Sequence, residues 1–213
     1  MLHKLIRDRH LTLPPFDQAP SGVNQNFPND FSPVPNRNYN IQQSTNIGSF
    51  FHRKRSSQIV AGAHGNKAHR TFRWLPWIIG KVSCVPLAGA DILTGRMSGC
   101  WLVIFRFQGV DYAGHIGTDT APDTPASLQA KAAWRNAVNT QQIQPIAAFN
   151  PVGPNLPATN MLNIRGEAPE FYGAFEQSGQ VYTVVLTAPG YGGTARRIAR
   201  VVQMQTTQDV TDF

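Results

Sequence analysis

The feature that most constrains this chain is a pair of strand-like runs at its centre. Residues 101–107 are almost wholly apolar and aromatic, Gln108-Gly109 interrupts them, and 110–117 alternates. Two such runs about a short Gly-containing break predict a β-hairpin. With Gln108 and Gly109 as its loop, Phe107 faces Val110, Phe105 faces Tyr112, and Cys100 falls opposite Gly117. Opposed residues share a face of a sheet, as do positions two apart on one strand. His115 is therefore a diagonal neighbour of Cys100 on one face. Gly99, Gly114 and Gly117 surround the pair, which suits a bend at the strand mouth or a closely approaching substrate.

A thiol beside an imidazole supports nucleophilic attack on a carbonyl. The neutral thiol is a poor nucleophile, and the ring can take its proton, later protonate the leaving group and activate a water. Such a pair wants a third group to orient the ring. Thr94, six residues before the cysteine, is the nearest candidate. Asp111 and Asp119 compete for the role, but Asp111 lies two pleats from His115 along the same strand, out of contact in a regular strand. The backbone amides of Cys100 and its neighbour at Gly99 are the natural oxyanion donors.

Ser98-Gly99-Cys100 on entry to a strand, with His115 on the next, resembles the cysteine glutamine deamidases. These include the cytotoxic necrotizing factor catalytic domain, Burkholderia lethal factor and the chemoreceptor deamidases. Thr94 sits where the lethal factor and the chemoreceptor enzymes place a threonine that orients the histidine. Trp74-Leu75-Pro76-Trp77 is similar to a segment ahead of the motif in the lethal factor. Met97 departs from the leucine that usually precedes Ser-Gly-Cys. The resemblance covers about a quarter of the chain, from Trp74 to Thr118 with gaps. It implies Cys100 as nucleophile, His115 as general base and acid, and Thr94 as the orienting residue. Ser98, Gly99, Trp74 and Trp77 become the expected substrate-binding residues, without metal or cofactor. The implied partner is a protein of a host cell. Transamidation or proteolysis by the same dyad stays open.

The formal charge of +7 over 213 residues invites a nucleic-acid reading, with Arg53 to Arg55, Arg73 and the two tryptophans as its grip. That charge lies in scattered clusters, however, and a basic surface equally steers an acidic protein partner. Nucleic acid is therefore the alternative rather than the expected partner, and the chain is expected to be monomeric. Cys84 and Cys100 permit one disulfide, but a chain of this size folds without a staple. Cys84 reads as a buried strand residue beside Val85. No apolar run reaches the ~20 residues that span a bilayer, so no membrane partner is expected. The charged N-terminus does not read as a secretory signal. Taken with the resemblance, this implies export without a cleaved leader and action in the host cytosol.

The chain divides on composition. Residues 1–57 are Pro-, Asn-, Gln- and Ser-rich and poor in aliphatics, and read as an extended or disordered leader. Phe16, Phe27, Phe31, Phe50 and Phe51 stand out in it as aromatics that dock on a surface or partner. The catalytic domain is expected over 58–213. His64 and His69 fall in a glycine-rich loop without the partners of a closed metal site. Strands are expected at 71–77, 78–85, 143–149, 161–165, 171–176, 181–188 and 198–206. The sequence 189–193 lacks the ending of a phosphate loop. Thr124-Pro125 opens the best helix, over 126–138, with Trp134 in the core and Leu128 with Ala132 on its packed face. The expected fold is α+β, a β-rich sandwich with one or few packed helices, and the resemblance implies that it is deamidase-toxin-like.

Overall fold

The computed structural model describes residues 10–13, 26–35, 38–45, 55–61, 71–119, 124–153, 156, 168–187, 195–208 and 210. Among them are thirteen strands and a single helix. Eight strands form a closed barrel: β1 (His10–Thr12), β3 (Asn38–Thr45), β4 (Arg55–Ala61), β5 (Thr71–Pro76), β7 (Asp91–Met97), β11 (Pro169–Phe175), β12 (Val181–Thr187) and β13 (Ala195–Gln203). Their order is β1-β13-β12-β11-β7-β5-β3-β4, and parallel pairing of β1 with β4 closes the ring. A five-stranded sheet is built from β2 (Phe31–Pro33), β6 (Val82–Pro86), β8 (Trp101–Phe107), β9 (Val110–Ile116) and β10 (Gln144–Phe149), in the order β10-β8-β9-β6-β2. Helix α1 (Pro125–Asn139) lies over this sheet. No helix among the described residues is long and apolar enough to cross a membrane.

The three large apolar clusters among the described residues follow from strand alternation. Phe72, Trp74, Leu93, Tyr172, Val184 and Ile198 fill the barrel. The opposite side chains of the barrel wall, among them Leu75, Ile92, Met97 and Phe175, meet Leu102, Ile104, Ala113 and Phe149 of the sheet. The sheet's far face, with Val103, Phe105 and Ile116, takes Ala130, Trp134 and Ala137 of the helix. Each fully buried large side chain contributes roughly 1.5–3 kcal/mol by leaving water. The resulting layers are helix, sheet and barrel wall: the expectation of mostly β structure with few helices holds, with a closed barrel packed on a sheet in place of a sandwich. The chain leaves the barrel after β5 for β6, returns for β7 and leaves again for β8 and β9. That weaving brings β7 and β9 face to face across the seam between barrel and sheet.

The hairpin forms in the expected register, with Phe107 opposite Val110, Phe105 opposite Tyr112 and Leu102 opposite His115. Gln108 and Gly109 both take positive φ, 49° and 79°, as a tight two-residue hairpin loop requires. Thr124 caps α1 by accepting from the Ser127 N–H at 3.2 Å, and Pro125 starts the helix.

Three further expectations are corrected. The segment 1–57 is not a leader outside the fold: β1, β2 and β3 lie within it, and β4 crosses the boundary expected at 58. Strand pairing is carried by main-chain hydrogen bonds, so a tract poor in aliphatics joins a sheet by burying only a few anchors such as Leu11, Phe31 and Tyr39. Phe27 and Phe31 do dock on the body, the first against Phe107 at 4.5 Å and the second against Phe105 at 5.6 Å. Phe16, Phe50, Phe51, His64, His69 and the strand expected at 161–165 lie outside the described residues. Leu128 is 49% exposed, and the packed helix face is Ser127, Ala130, Trp134 and Ala137. Small residues at three of these positions let the helix axis approach the sheet while Trp134 fills the gap. Finally, residues 79–81 form a turn, so the strand expected over 78–85 begins only at Val82.

Candidate functional site

The seam between barrel and sheet holds the polar residues singled out in the sequence. On β7, Ile92 and Thr94 point out of the barrel towards the sheet, while Leu93 points in. On β9, Ala113 and His115 point towards the barrel. The two strands thus bring Thr94 Oγ1 to 2.9 Å from His115 Nδ1, with both residues fully buried. For His115 to act as a base, Nδ1–H must donate to the Thr94 oxygen, leaving the Nε2 lone pair free. Nε2 is buried and has no hydrogen-bond partner among the described residues. A buried imidazole nitrogen left without a partner costs roughly 1–3 kcal/mol.

Cys100 stands one residue before β8, one step beyond the last ladder pair, Trp101 with Ile116. It is 3% exposed and belongs to the seam cluster. It keeps the parity of Leu102 and Ile104, so it shares the barrel-side face with His115, as the register predicts. The thiol does not bond the ring here. Sγ donates to the Thr118 carbonyl at 3.5 Å and accepts from the Thr118 hydroxyl at 3.2 Å. Both cysteines are free, so no bridge to Cys84 blocks the sulfur.

Burial dominates the electrostatics. Desolvation raises the Cys100 thiol pKa, opposed by the Thr118 hydroxyl and by backbone groups of Thr118, Cys100 and Ser98. Desolvation lowers His115 to about 3. Closed, the site therefore holds a neutral thiol and a neutral ring. Ion-pair formation requires the S–H to turn from the Thr118 carbonyl towards Nε2, or water or substrate to enter.

The remaining expected residues divide. Ser98 and Gly99 are exposed just ahead of the cysteine, and the Gly99 carbonyl accepts from Asn150 Nδ2 at 3.3 Å. Trp77 is 38% exposed and donates Nε1–H to the Thr118 carbonyl at 3.0 Å, which puts it at the edge of the site. Trp74 lies inside the barrel and away from the Cys100 face, because its place on β5 has the parity of Phe72 rather than of Leu75. Gly114 likewise faces away, towards Val103 and Phe105 on the helix side. Of the rival ring-orienting acids, Asp111 is paired with Arg106 at 2.7 Å, and the ring nitrogen that an acid would hold is taken by Thr94. Arg73, part of the alternative nucleic-acid grip, is buried and donates to the Pro86 carbonyl at 2.7 Å.

Sequence reasoning missed two residues. Thr118 follows Gly117, whose proximity to Cys100 was legible from the register. Ser83, opposite His115 on β6, donates to the Pro76 carbonyl at 2.6 Å and adds a second polar stitch across the seam. Compared with protein-family models, with curated proteins and with solved structures, the chain matches none.

Proposed function

We propose that this protein is a cysteine-dependent protein-glutamine deamidase. The observation that carries the reading is the orphaned Nε2 of His115, held by the Thr94 hydroxyl on its other nitrogen and lying on the Cys100 face of the sheet. The Ser98-Gly99-Cys100 motif and its spacing from Thr94 support glutamine as substrate, through resemblance to the deamidase family. In the first step the S–H turns from the Thr118 carbonyl while the Thr118 hydroxyl keeps its bond to sulfur, the thiol proton passes to Nε2, and Sγ bonds the carboxamide carbon. The C–N bond then breaks as the imidazolium gives its proton to departing ammonia, leaving a thioester. Water attacks the thioester, its proton goes to Nε2, the C–S bond breaks, and the departing thiolate recovers the proton. Glutamate replaces glutamine in the target. The same resemblance makes the target a host-cell protein.

The test is mass spectrometry of host-cell lysate proteins incubated with wild type or with Cys100→Ala. A glutamine-to-glutamate shift made by wild type and absent from the variant supports the reading; a shift that persists in the variant refutes it. Adding a primary amine separates deamidation from transamidation, because only the latter incorporates the amine.

A further inference from the structure

Cys100 has a second neighbour besides the ring. We infer that Thr118 is a positioning residue for the nucleophile, its hydroxyl holding the sulfur as the proton leaves, with Trp77 fixing Thr118 from outside. The inference rests on the proposed Cys100–His115 chemistry and names what governs the sulfur in it.

The geometry carries the case. Thr118 Oγ1 donates to Sγ at 3.2 Å, and the same residue's carbonyl accepts the thiol proton at 3.5 Å. The carbonyl also accepts from Trp77 Nε1 at 3.0 Å. When the thiol proton passes to His115, the hydroxyl still faces the new anion, and the indole N–H keeps the buried carbonyl satisfied. A donor to an anion in an apolar pocket is worth more than in water, and the cluster around this sulfur, including Met97, Leu102, Ala113 and Phe149, is apolar.

Thr118 is also held still by both neighbours. The turn at 78–81 grips Gly117 on each side, its carbonyl accepting from the Gly80 N–H at 2.8 Å and its N–H donating to the Lys81 carbonyl at 2.8 Å. No side chain fits there: a Cβ on Gly117 would stand 1.9 Å from the Ile78 carbonyl oxygen. On the other side the Asp119 N–H is tied to Ser127 at the start of α1. A hydroxyl fixed in this way needs no reorganisation as charge develops on sulfur, which is how preorganised donors contribute to catalysis.

The experiment is iodoacetamide modification of the intact full chain at neutral pH, with the rate at Cys100 followed by peptide mass mapping. It compares wild type with Thr118→Val, Thr118→Ala, Thr118→Ser and Trp77→Phe, each checked by circular dichroism. Both hydroxyl-free variants should react about tenfold more slowly, Ser should restore the rate to within about twofold, and Trp77→Phe should slow it about threefold, as loss of one hydrogen bond to a charged group predicts. On a deamidated target, Thr118→Val should lower kcat and leave KM nearly unchanged. Unchanged or faster alkylation in the hydroxyl-free variants, or a Ser variant as slow as Val, overturns the inference. Should Val fail to fold, Ala against Ser decides alone. Because alkylation needs no glutamine, a Thr118 effect without deamidase activity removes the proposed function and keeps this one. Cys100-dependent deamidation that is indifferent to the hydroxyl does the reverse.

Discussion

The central sheet carries a buried free cysteine on each face, and the two could hardly be placed more differently. Cys84 on β6 faces the helix among Val103, Phe105, Ile116 and Trp134, and burial pushes its thiol pKa far up with nothing acting against it. Cys100 faces the barrel, and Thr118 and backbone groups partly offset its burial. Thr94 and His115 are buried on that face too, whereas the helix side of the hairpin is apolar. Burial alone makes a cysteine an inert hydrophobe; donors and a proton acceptor within the same burial make it a candidate nucleophile.

The largest contrast is expected from removing each sulfur. Cys100→Ala should abolish glutamine conversion, a fall of at least about 10³-fold as for other essential nucleophiles, whereas Cys84→Ala should leave kcat within about twofold. Activity lost with Cys84 instead would invert the comparison. The next effect is on stability. Burial lowers the His115 pKa from 6.5 to about 3, so the unfolded chain binds the extra proton in that interval. This contribution is fully present above pH 6.5 and is lost as pH falls towards about 3. Urea unfolding of wild type should therefore weaken by several kcal/mol over that range, and His115→Gln should flatten the slope. A variant with the wild-type slope would show that the ring is not buried neutral.

Thr94→Val should act through the ring. With Nδ1 unpartnered, stability should drop by about 1–3 kcal/mol and kcat by roughly 10–100-fold, the range for a group that orients a metal ligand or catalytic base. Thr94→Ser should recover most of both, and steady-state kinetics beside chemical denaturation reads them together. Smallest of all is the structural cost of Cys84→Ala, about 1 kcal/mol for a small cavity under α1. A loss above about 3 kcal/mol would mean that Cys84 carries more of the helix–sheet packing than the loss of one sulfur explains.

The parts legible in the sequence are those fixed by local chemistry. Gln108-Gly109 set the loop and thereby the register that puts His115 diagonal to Cys100, and Thr124-Pro125 marked the helix start. What escaped depends on distant partners. The barrel strands within 1–57 owe their place to main-chain pairing with β5 and β13, which side-chain patterning does not report. Trp74 and Trp77 read as equivalent in sequence, yet β5 ends at Pro76, and the three-residue offset puts one in the barrel and the other at the mouth of the site. Leu128 reads as a packed residue on hydrophobicity alone, whereas the close approach of helix to sheet selects the small Ala130 and Ala137 for the buried face and leaves Leu128 outside. Thr118 was invisible as a partner because its role depends on the 78–81 turn gripping Gly117.

The central claim is that the ring at 115 draws the proton from the sulfur at 100, and the most direct measurement is how Cys100 alkylation depends on that ring, with Cys84 as internal reference. In the native protein Cys100 should be modified while Cys84 is not, and His115→Ala should slow Cys100 at least about tenfold. Equal modification of the two cysteines, or a Cys100 rate indifferent to loss of the imidazole, would contradict it.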